Sequence, residues 1–161
     1  MIDFEIDICK SVCVTGHRSL ASDFSIVTLE KVFSAFIEKG FNTFLVGMAV
    51  GFDTICFQTL EKIRKKKDIK IVACIPCLDQ DKMFSISQKK EYRRMIESAD
   101  KKVLVNQKYS AFCMQERNQF MVDNSSYVIA YLNENKGGTA NTVRYANKKG
   151  KKVINIGKLN I

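Results

Sequence analysis

Short apolar runs alternate along the chain with longer segments whose apolar residues recur at helical spacing. The short runs are rich in β-branched residues, as buried strands are, and lie near residues 11–15, 42–46, 69–75, 102–106, 127–132 and 152–156. The helical segments lie near residues 22–39, 51–66, 85–99, 114–123 and 138–149. This alternation predicts an α/β fold with a mostly parallel sheet of about six strands and helices on both faces.

The chain divides into a main segment and a short N-terminal one. Residues 1–10 alternate apolar and polar side chains, which predicts an extra edge strand ahead of a domain over 11–161. The length of 161 residues, without a Pro- or Ser-rich linker, fits a single domain. Apolar runs fall short of the ~20 residues that span a bilayer, and the acidic first ten residues differ from a secretory signal. We therefore expect a cytoplasmic protein without membrane contact.

Glycine-containing turns follow the first, second and fifth predicted strands. They read Gly16-His17-Arg18, Gly47-Met48-Ala49-Val50-Gly51-Phe52-Asp53 and Gly137-Gly138-Thr139. If each turn opens a helix, its unpaired backbone N–H groups and the helix dipole form a site for an anion such as phosphate. Ligands of parallel sheets bind beyond the carboxyl ends of the strands. Three such turns therefore indicate a nucleotide-type ligand.

Polar side chains near these turns are candidates for binding and catalysis. Thr15 and Arg18 supply a hydroxyl and a permanent cation for a phosphate. His17 is a general acid/base, a ligand contact or a cap of its own turn. Asp53 either binds ribose hydroxyls or is a first-turn acid that the helix dipole favours. Glu116 is a further candidate for acid/base function.

Arg117 and Asn118 begin a predicted helix whose apolar side is Phe120-Met121-Val122. Two interpretations are open for this pair. The side chains either point a guanidinium and an amide into the ligand cleft or belong to the polar face of an amphipathic helix.

Charge and cysteine content narrow the function further. The net charge of +9 invites a nucleic-acid partner, but the lysine clusters fall at predicted helix ends and strand starts, without an interleaved aromatic stripe. Cys74 and Cys77 form a lone C-x-x-C, and His17 is the single histidine. Zinc requires more ligands than these, so we predict core packing for the cysteines and no metal site.

Together these motifs resemble a known family. The chain is similar to the YpsA-like branch of the SMF/DprA–LOG (SLOG) superfamily over about residues 11–157. The resemblance rests on four motifs in order, with Ile75-Pro76, Gln80 and Tyr92 between the second and third of them: Val14-Thr15-Gly16-His17-Arg18, Gly47-Met48-Ala49-Val50-Gly51-Phe52-Asp53, Arg117-Asn118-Gln119-Phe120-Met121-Val122-Asp123 and Gly137-Gly138-Thr139-Ala140-Asn141-Thr142-Val143.

The resemblance implies a single Rossmann-like domain that binds a nucleotide or nucleotide derivative across these loops. The YpsA-like branch has no settled activity. Other branches include cytokinin-activating phosphoribohydrolases, a DNA-processing protein of transformation, and sensor domains for nucleotide signals made from NAD. The resemblance therefore narrows the class of ligand but does not identify a reaction.

Departures from the phosphoribohydrolase pattern bear on catalysis. Those enzymes carry an acid three residues after the threonine of a P-G-G-x-G-T-x-x-E loop. Here the proline is Lys136, the third glycine Ala140, the threonine Asn141 and the acid Arg144. A permanent cation cannot serve as a general base or stabilise an oxocarbenium ion, which argues against hydrolysis by that route. Two expected tryptophans are phenylalanines, Phe84 and Phe120, and either stack on a base or pack in the core.

Our leading hypothesis is a sensor or sequestering module that binds a nucleotide-derived ligand of the NAD, ADP-ribose or nucleotide-signal class. The alternatives are a nucleotide N-glycoside or phosphoester hydrolase and a single-stranded DNA-binding module, and a homodimer is compatible with the sequence. The predicted ligand-binding residues are Thr15, Gly16, His17, Arg18, Gly47, Met48, Ala49, Gly51, Asp53, Arg117, Asn118, Gly137, Gly138 and Thr139.

Overall fold

The computed structural model describes residues 3–161 and contains a six-stranded sheet. The strands in chain order are β1 Ser11–Gly16, β2 Thr43–Val46, β3 Lys70–Ile75, β4 Lys101–Leu104, β5 Tyr127–Tyr131 and β6 Lys152–Asn155. All pairs are parallel, and the spatial order is β4-β3-β2-β1-β5-β6. The order reverses direction at β1, which pairs with β2 on one side and β5 on the other. The gap between β1 and β5 is therefore the topological switch point, where open α/β sheets bind ligands.

Five helices connect the strands and cover both faces of the sheet. They are α1 Ile26–Glu38, α2 Phe52–Arg64, α3 Ile86–Ser98, α4 Cys113–Asp123 and α5 Gly138–Lys148. α1, α2 and α3 pack on one face, and α4 and α5 pack on the other. The pleat of β1 explains this division, because Val12 and Val14 join the first core cluster whereas Cys13 joins the second. The predicted α/β class and strand order along the chain are confirmed.

The N-terminal part of the chain differs from the prediction. Residues 3–7 form no strand, and Ile8–Lys10 form a short 3-10 helix capped by the Asp7 side chain. The predicted edge strand over 1–10 is therefore wrong for residues 3–10, and residues 1 and 2 lie outside the described part. The alternation of apolar and polar residues has another cause here. Phe4 and Ile6 pack their side chains against the second core cluster without pairing their backbone with a strand.

The first helix starts later than its apolar pattern indicated. Ser25 caps α1 by accepting a hydrogen bond from the backbone N–H of Thr28 at 3.2 Å, so the helix begins at Ile26 rather than near 22. Residues 17–25 are a loop in consequence. The Gly16 turn thus does not open a helix directly, contrary to the expectation from its glycine, whereas the other two glycine turns do.

The cysteines differ in solvent exposure, which leads to a prediction about thiol reactivity. Cys9 is exposed, and Cys13, Cys56, Cys74, Cys77 and Cys113 are buried. Burial raises the pKa of Cys13 to about 12 and also raises that of Cys77 to about 12. We expect Ellman's reagent to titrate about one thiol in the native protein and all thiols in denaturant. A native count that is unchanged in Cys9→Ser would contradict this assignment.

Candidate functional site

A cavity of about 310 Å³ opens at the carboxyl ends of β1, β2 and β5, at the switch point of the sheet. α4 closes one side of it, and the N-terminus of α5 closes another. We call it the strand-end cavity. Most of the predicted ligand-binding residues line it, namely Thr15, Gly16, His17, Arg18, Ala49, Asp53, Arg117, Asn118, Gly138 and Thr139.

Five predicted residues do not line the strand-end cavity: Gly47, Met48, Gly51, Gly137 and Glu116. Gly47 lies directly behind it. Its carbonyl accepts hydrogen bonds from Arg117 Nη1 and from Gln80 Nε2, and a Cβ at Gly47 would lie 2.8 Å from Arg117 Nη1. The glycine therefore makes room for a guanidinium rather than for a ligand. Met48 has a positive φ of 64°, and its side chain is buried in the first core cluster.

Gly51 and Gly137 set the starts of two helices. Gly51 is the N-cap of α2 with φ +82°, and a Cβ there would collide with the backbone carbonyl of Arg18. Gly137 is the N-cap of α5 with φ +91°. Both conformations favour glycine because a side chain is strained at such φ values. Gly137 thereby places the free N-terminal N–H groups of α5 at the cavity, where Gly138 and Thr139 line it.

Asp53 is the buried acid of the strand-end cavity and is only 6% exposed. Its Oδ2 accepts a hydrogen bond from the Ala49 N–H at 3.1 Å, whereas its Oδ1 has no partner within the described residues 3–161. Burial raises the pKa of Asp53 to about 6, against the opposing effects of Arg117 and Arg18. The side chain therefore presents an unsatisfied acceptor that favours a hydrogen-bond donor from outside the protein.

Arg117 is 5% exposed and points inward from α4. Its Nη1 donates to the Gly47 carbonyl, and its Nε donates to Asn118 Oδ1 at 2.8 Å. Burial lowers the pKa of Arg117, and the neighbouring Asp53 opposes that shift. Of the two interpretations of this pair, the inward one applies to Arg117. Because the Asn118 oxygen is occupied, its Nδ2 is the donor left for a ligand.

His17 fixes the loop that follows β1. Its Nε2 accepts a hydrogen bond from the backbone N–H of Asn133 at 2.9 Å. Its ring packs edge-on against the Tyr131 ring, with 5.9 Å between the two ring centroids. Its carbonyl accepts from the Phe52 N–H at 3.2 Å. The imidazole therefore ties the loop after β1 to the segment after β5, and His17 also lines the strand-end cavity, so its predicted contact with a ligand stays a prediction.

The other acid/base candidate, Glu116, lies away from the cavity. It is exposed, and its Oε2 accepts from Asn106 Nδ2 at 2.7 Å. Arg144, which replaces the acid of the phosphoribohydrolase loop, donates to Asn141 Oδ1 at 2.7 Å and to the Asn135 carbonyl at 2.8 Å. Both side chains therefore have local structural partners outside the cavity.

Three cavity residues were not predicted: Val14, Met114 and Met121. A signal for two of them was present in the sequence. Residues 114, 117, 118 and 121 recur at the spacing of one helix face, so α4 presents Met114 and Met121 beside Arg117 and Asn118. Two thioethers thus flank the two polar side chains and give this wall of the cavity an apolar part.

The two phenylalanines in place of expected tryptophans occupy different positions. Phe120 packs against the second core cluster. Phe84 is half-buried and packs edge-on against Tyr92, with 5.5 Å between the two ring centroids, at the carboxyl side of the sheet. Both rings are half-buried and pack against a core cluster, Phe84 against the first and Phe120 against the second.

None of the helices within the described residues 3–161 combines the length and the apolar character that crossing a bilayer needs. Within the same residues, no group of three or more His, Cys, Asp or Glu side chains is placed to hold a metal ion. Cys77 lies beside Cys113, with 3.8 Å between the two sulfurs.

An all-parallel sheet with this strand order, and with a polar cavity at its switch point, defines a Rossmann-like α/β protein. The chain belongs to the YspA SLOG family, whose model matches residues 12–158. It is similar to the uncharacterized SPbeta prophage-derived protein YoqJ of Bacillus subtilis strain 168. The two are 32% identical over 118 residues, which cover 65% of this chain and 69% of YoqJ.

Solved structures of DNA processing protein A (DprA) share the fold. The Streptococcus pneumoniae protein superimposes with a TM-score of 0.68 at 18% identity, over 94% of this chain and 51% of that one. The Helicobacter pylori protein, whose structure concerns its single-stranded DNA binding mode, superimposes with a TM-score of 0.64 at 17% identity. This match covers 93% of this chain and 66% of the H. pylori chain. This chain therefore spans about half to two thirds of the solved DprA chains.

Proposed function

We propose that the protein binds a nucleotide or nucleotide-derived ligand in the strand-end cavity, as a sensor or sequestering module. The observation that carries this proposal is the carboxyl group of Asp53, which lines the cavity and whose buried Oδ1 has no protein partner among the described residues. A buried acceptor without a donor costs about 1–3 kcal/mol. A ribose hydroxyl supplies such a donor, so ligand binding removes that cost.

The phosphate side of the proposal rests on the part of the cavity lining that α5 contributes. α5 begins there at Gly138, and its N-terminal N–H groups carry the positive end of the helix dipole. Arg18 lines the same cavity and is exposed, so its guanidinium is available to an anion. A ligand with a phosphate at α5 and a hydroxyl at Asp53 would place an anion beside the positive helix end and a hydrogen-bond donor beside the carboxyl group.

The geometry supports binding better than hydrolysis. Hydrolysis of a glycosidic or phosphoester bond usually pairs two groups that move protons. Nε2 of His17 accepts from the Asn133 backbone, and Glu116 lies outside the cavity. Asp53, whose Oδ2 accepts from the Ala49 N–H, is thus left as the one acid in the lining among the described residues, without a second acid to complete such a pair. We therefore place recognition, rather than turnover, at the centre of the function.

The test is calorimetry and thermal unfolding with NAD, ADP-ribose, and cyclic and linear nucleotides, with the products checked by chromatography. A ligand at 100 times its Kd adds about 2.7 kcal/mol to the free energy of unfolding. We expect Arg18→Gln to weaken binding by about tenfold, because a charge-assisted hydrogen bond contributes about 1.5–3 kcal/mol.

Arg93→Gln is the matched control, because Arg93 is an exposed arginine on α3 outside the strand-end cavity. It should leave nucleotide binding unchanged. Equal loss in both variants would point to general electrostatics instead of a defined phosphate site. A consumed ligand would move the assignment to the hydrolase alternative.

Single-stranded DNA is the second candidate ligand, and two observations favour it. The H. pylori DprA structure concerns single-stranded DNA binding, and α3 presents Lys89, Lys90, Arg93 and Arg94 along one groove. Arg94 pairs with Glu61 and Glu91, however, which reduces the free positive charge. DNA binding on α3 would fall steeply with salt and with Arg93→Gln, the reverse of the pattern expected for the strand-end cavity.

A further inference from the structure

A second cavity of about 470 Å³ opens beside the strand-end cavity, and its lining includes two exposed or half-exposed aromatic rings, Phe84 and Tyr109. We propose that this cavity binds the purine base of a nucleotide whose ribose and phosphate occupy the strand-end cavity. The inference rests on the proposed function and adds the class of base and its position.

The two cavities are continuous in their lining. Arg18, Ala49 and Met114 line both of them. Ala49 is also the residue whose N–H holds Asp53, so the shared wall begins directly beside the proposed ribose position. A base joined to a ribose at Asp53 therefore has a short path past Ala49 into the second cavity.

The walls of the second cavity suit a flat ring. Phe84 and Tyr109 provide aromatic faces, and Met83 and Met114 provide thioethers that contact aromatic ring edges favourably. Tyr109 is 66% exposed and Met83 is 90% exposed, so large apolar surface lies open to water at this point. Covering that surface with a base is favourable because the contact removes apolar area from water.

Polar groups in the lining suit the edge of a base, and the aromatic surface favours a purine. Asp79, Lys82 and Gln88 line the same cavity and place a carboxylate, an ammonium and an amide at its polar edge. These groups match the donors and acceptors on the edges of a base. A volume of about 470 Å³ has room for a purine as well as for a pyrimidine. The purine is favoured because its bicyclic ring offers more stacking surface to Phe84 and Tyr109.

The test compares AMP, UMP and ribose 5-phosphate by calorimetry on the full chain and on Tyr109→Ala. We expect wild-type protein to bind AMP at least tenfold more tightly than ribose 5-phosphate, and more tightly than UMP. Tyr109→Ala should weaken AMP binding at least fivefold, as removal of a stacked aromatic does, and change ribose 5-phosphate binding less than twofold.

Phe112→Ala is the control, because Phe112 is 65% exposed on the same loop and lines neither cavity. It should change neither affinity, and the exposure of both side chains makes normal folding expected for both variants. Equal AMP affinity in Tyr109→Ala and Phe112→Ala, with AMP binding still dependent on Arg18, would overturn the base subsite alone. UMP binding as tight as AMP would overturn the purine assignment. Binding of none of the three would overturn the base subsite, and the proposed function fails as well if NAD, ADP-ribose and the cyclic nucleotides also do not bind.

Discussion

Replacement of Arg117 by methionine is expected to lower the free energy of unfolding by about 3 kcal/mol at pH 7. Arg117 is buried, donates to the Gly47 carbonyl and to Asn118 Oδ1, and lowers the pKa of Asp53. Methionine fills a similar volume but leaves the Asp53 carboxylate buried without that cation. Uncompensated buried charges are costly because the protein interior solvates them poorly.

The measurement is thermal or urea unfolding of wild type, Arg117→Met and the double variant Arg117→Met/Asp53→Asn. In a domain of this length the single variant should melt about 6–12 °C lower. The second substitution should recover part of the loss, because a neutral amide no longer needs the cation. Arg93→Met is the control for removing an exposed arginine, and its stability should stay within about 0.5 kcal/mol of wild type.

If the double variant is no more stable than Arg117→Met, the charge of Asp53 is not coupled to Arg117. The loss would then come from the contacts with Gly47 and Asn118 alone. A single variant as stable as wild type would contradict the structural role assigned to the buried guanidinium.

Asp53→Asn is expected to abolish a pH dependence of stability that the wild-type protein has between pH 4 and pH 7. The ordinary pKa of an aspartate is 3.8, and burial raises that of Asp53 to about 6 in the folded state. Between these values the folded state binds more protons than the unfolded state. The contribution of Asp53 to the free energy of unfolding therefore falls as pH rises through this window, by about 3 kcal/mol in total.

Urea unfolding of both proteins at pH 4, 5, 6, 7 and 8 measures this difference. Asparagine retains an oxygen that can accept from the Ala49 N–H but does not titrate, so other carboxylates cancel in the comparison. Asp53→Asn should gain stability relative to wild type as pH rises from 4 to 7, and the difference should then level off. A difference that is flat over this range would show that Asp53 ionises normally.

The same ionisation affects the ligand. A donor that binds Oδ1 favours the charged carboxylate, so nucleotide affinity of the wild-type protein should rise as pH increases from 5 to 7. This increase should be absent in Asp53→Asn. A stability difference without the matching change in affinity would separate the buried acid from the ligand site.

Strand and helix positions were largely predictable because the apolar pattern is local. The runs at 11–15 and 127–132 match β1 and β5 within one residue, since buried parallel strands are apolar on both faces. The start of α1 was predicted too early, because apolar spacing does not reveal which residue caps the helix. The cap depends on the Ser25 hydroxyl and its own backbone conformation.

Site positions were predictable to the extent that they follow strand ends. Asp53 and Thr139 were placed at the cavity because parallel strands end at one edge of a sheet. The role of Gly47 was not predictable, because its partners Arg117 and Gln80 lie on distant segments of the chain. His17 remained ambiguous for the same reason, since its partner is the Asn133 backbone after β5.

The sequence by itself determined the alternation of strands and helices, and the glycine turns that the fold places at one edge of the sheet. These features depend on hydrophobic periodicity and backbone conformation, which neighbouring residues specify. Only the tertiary structure decided that Asp53 keeps an unsatisfied oxygen, that Arg117 turns inward, and that His17 ties two loops together. Burial and hydrogen-bond pairing depend on segments far apart in the chain, so they are fixed only when the sheet assembles.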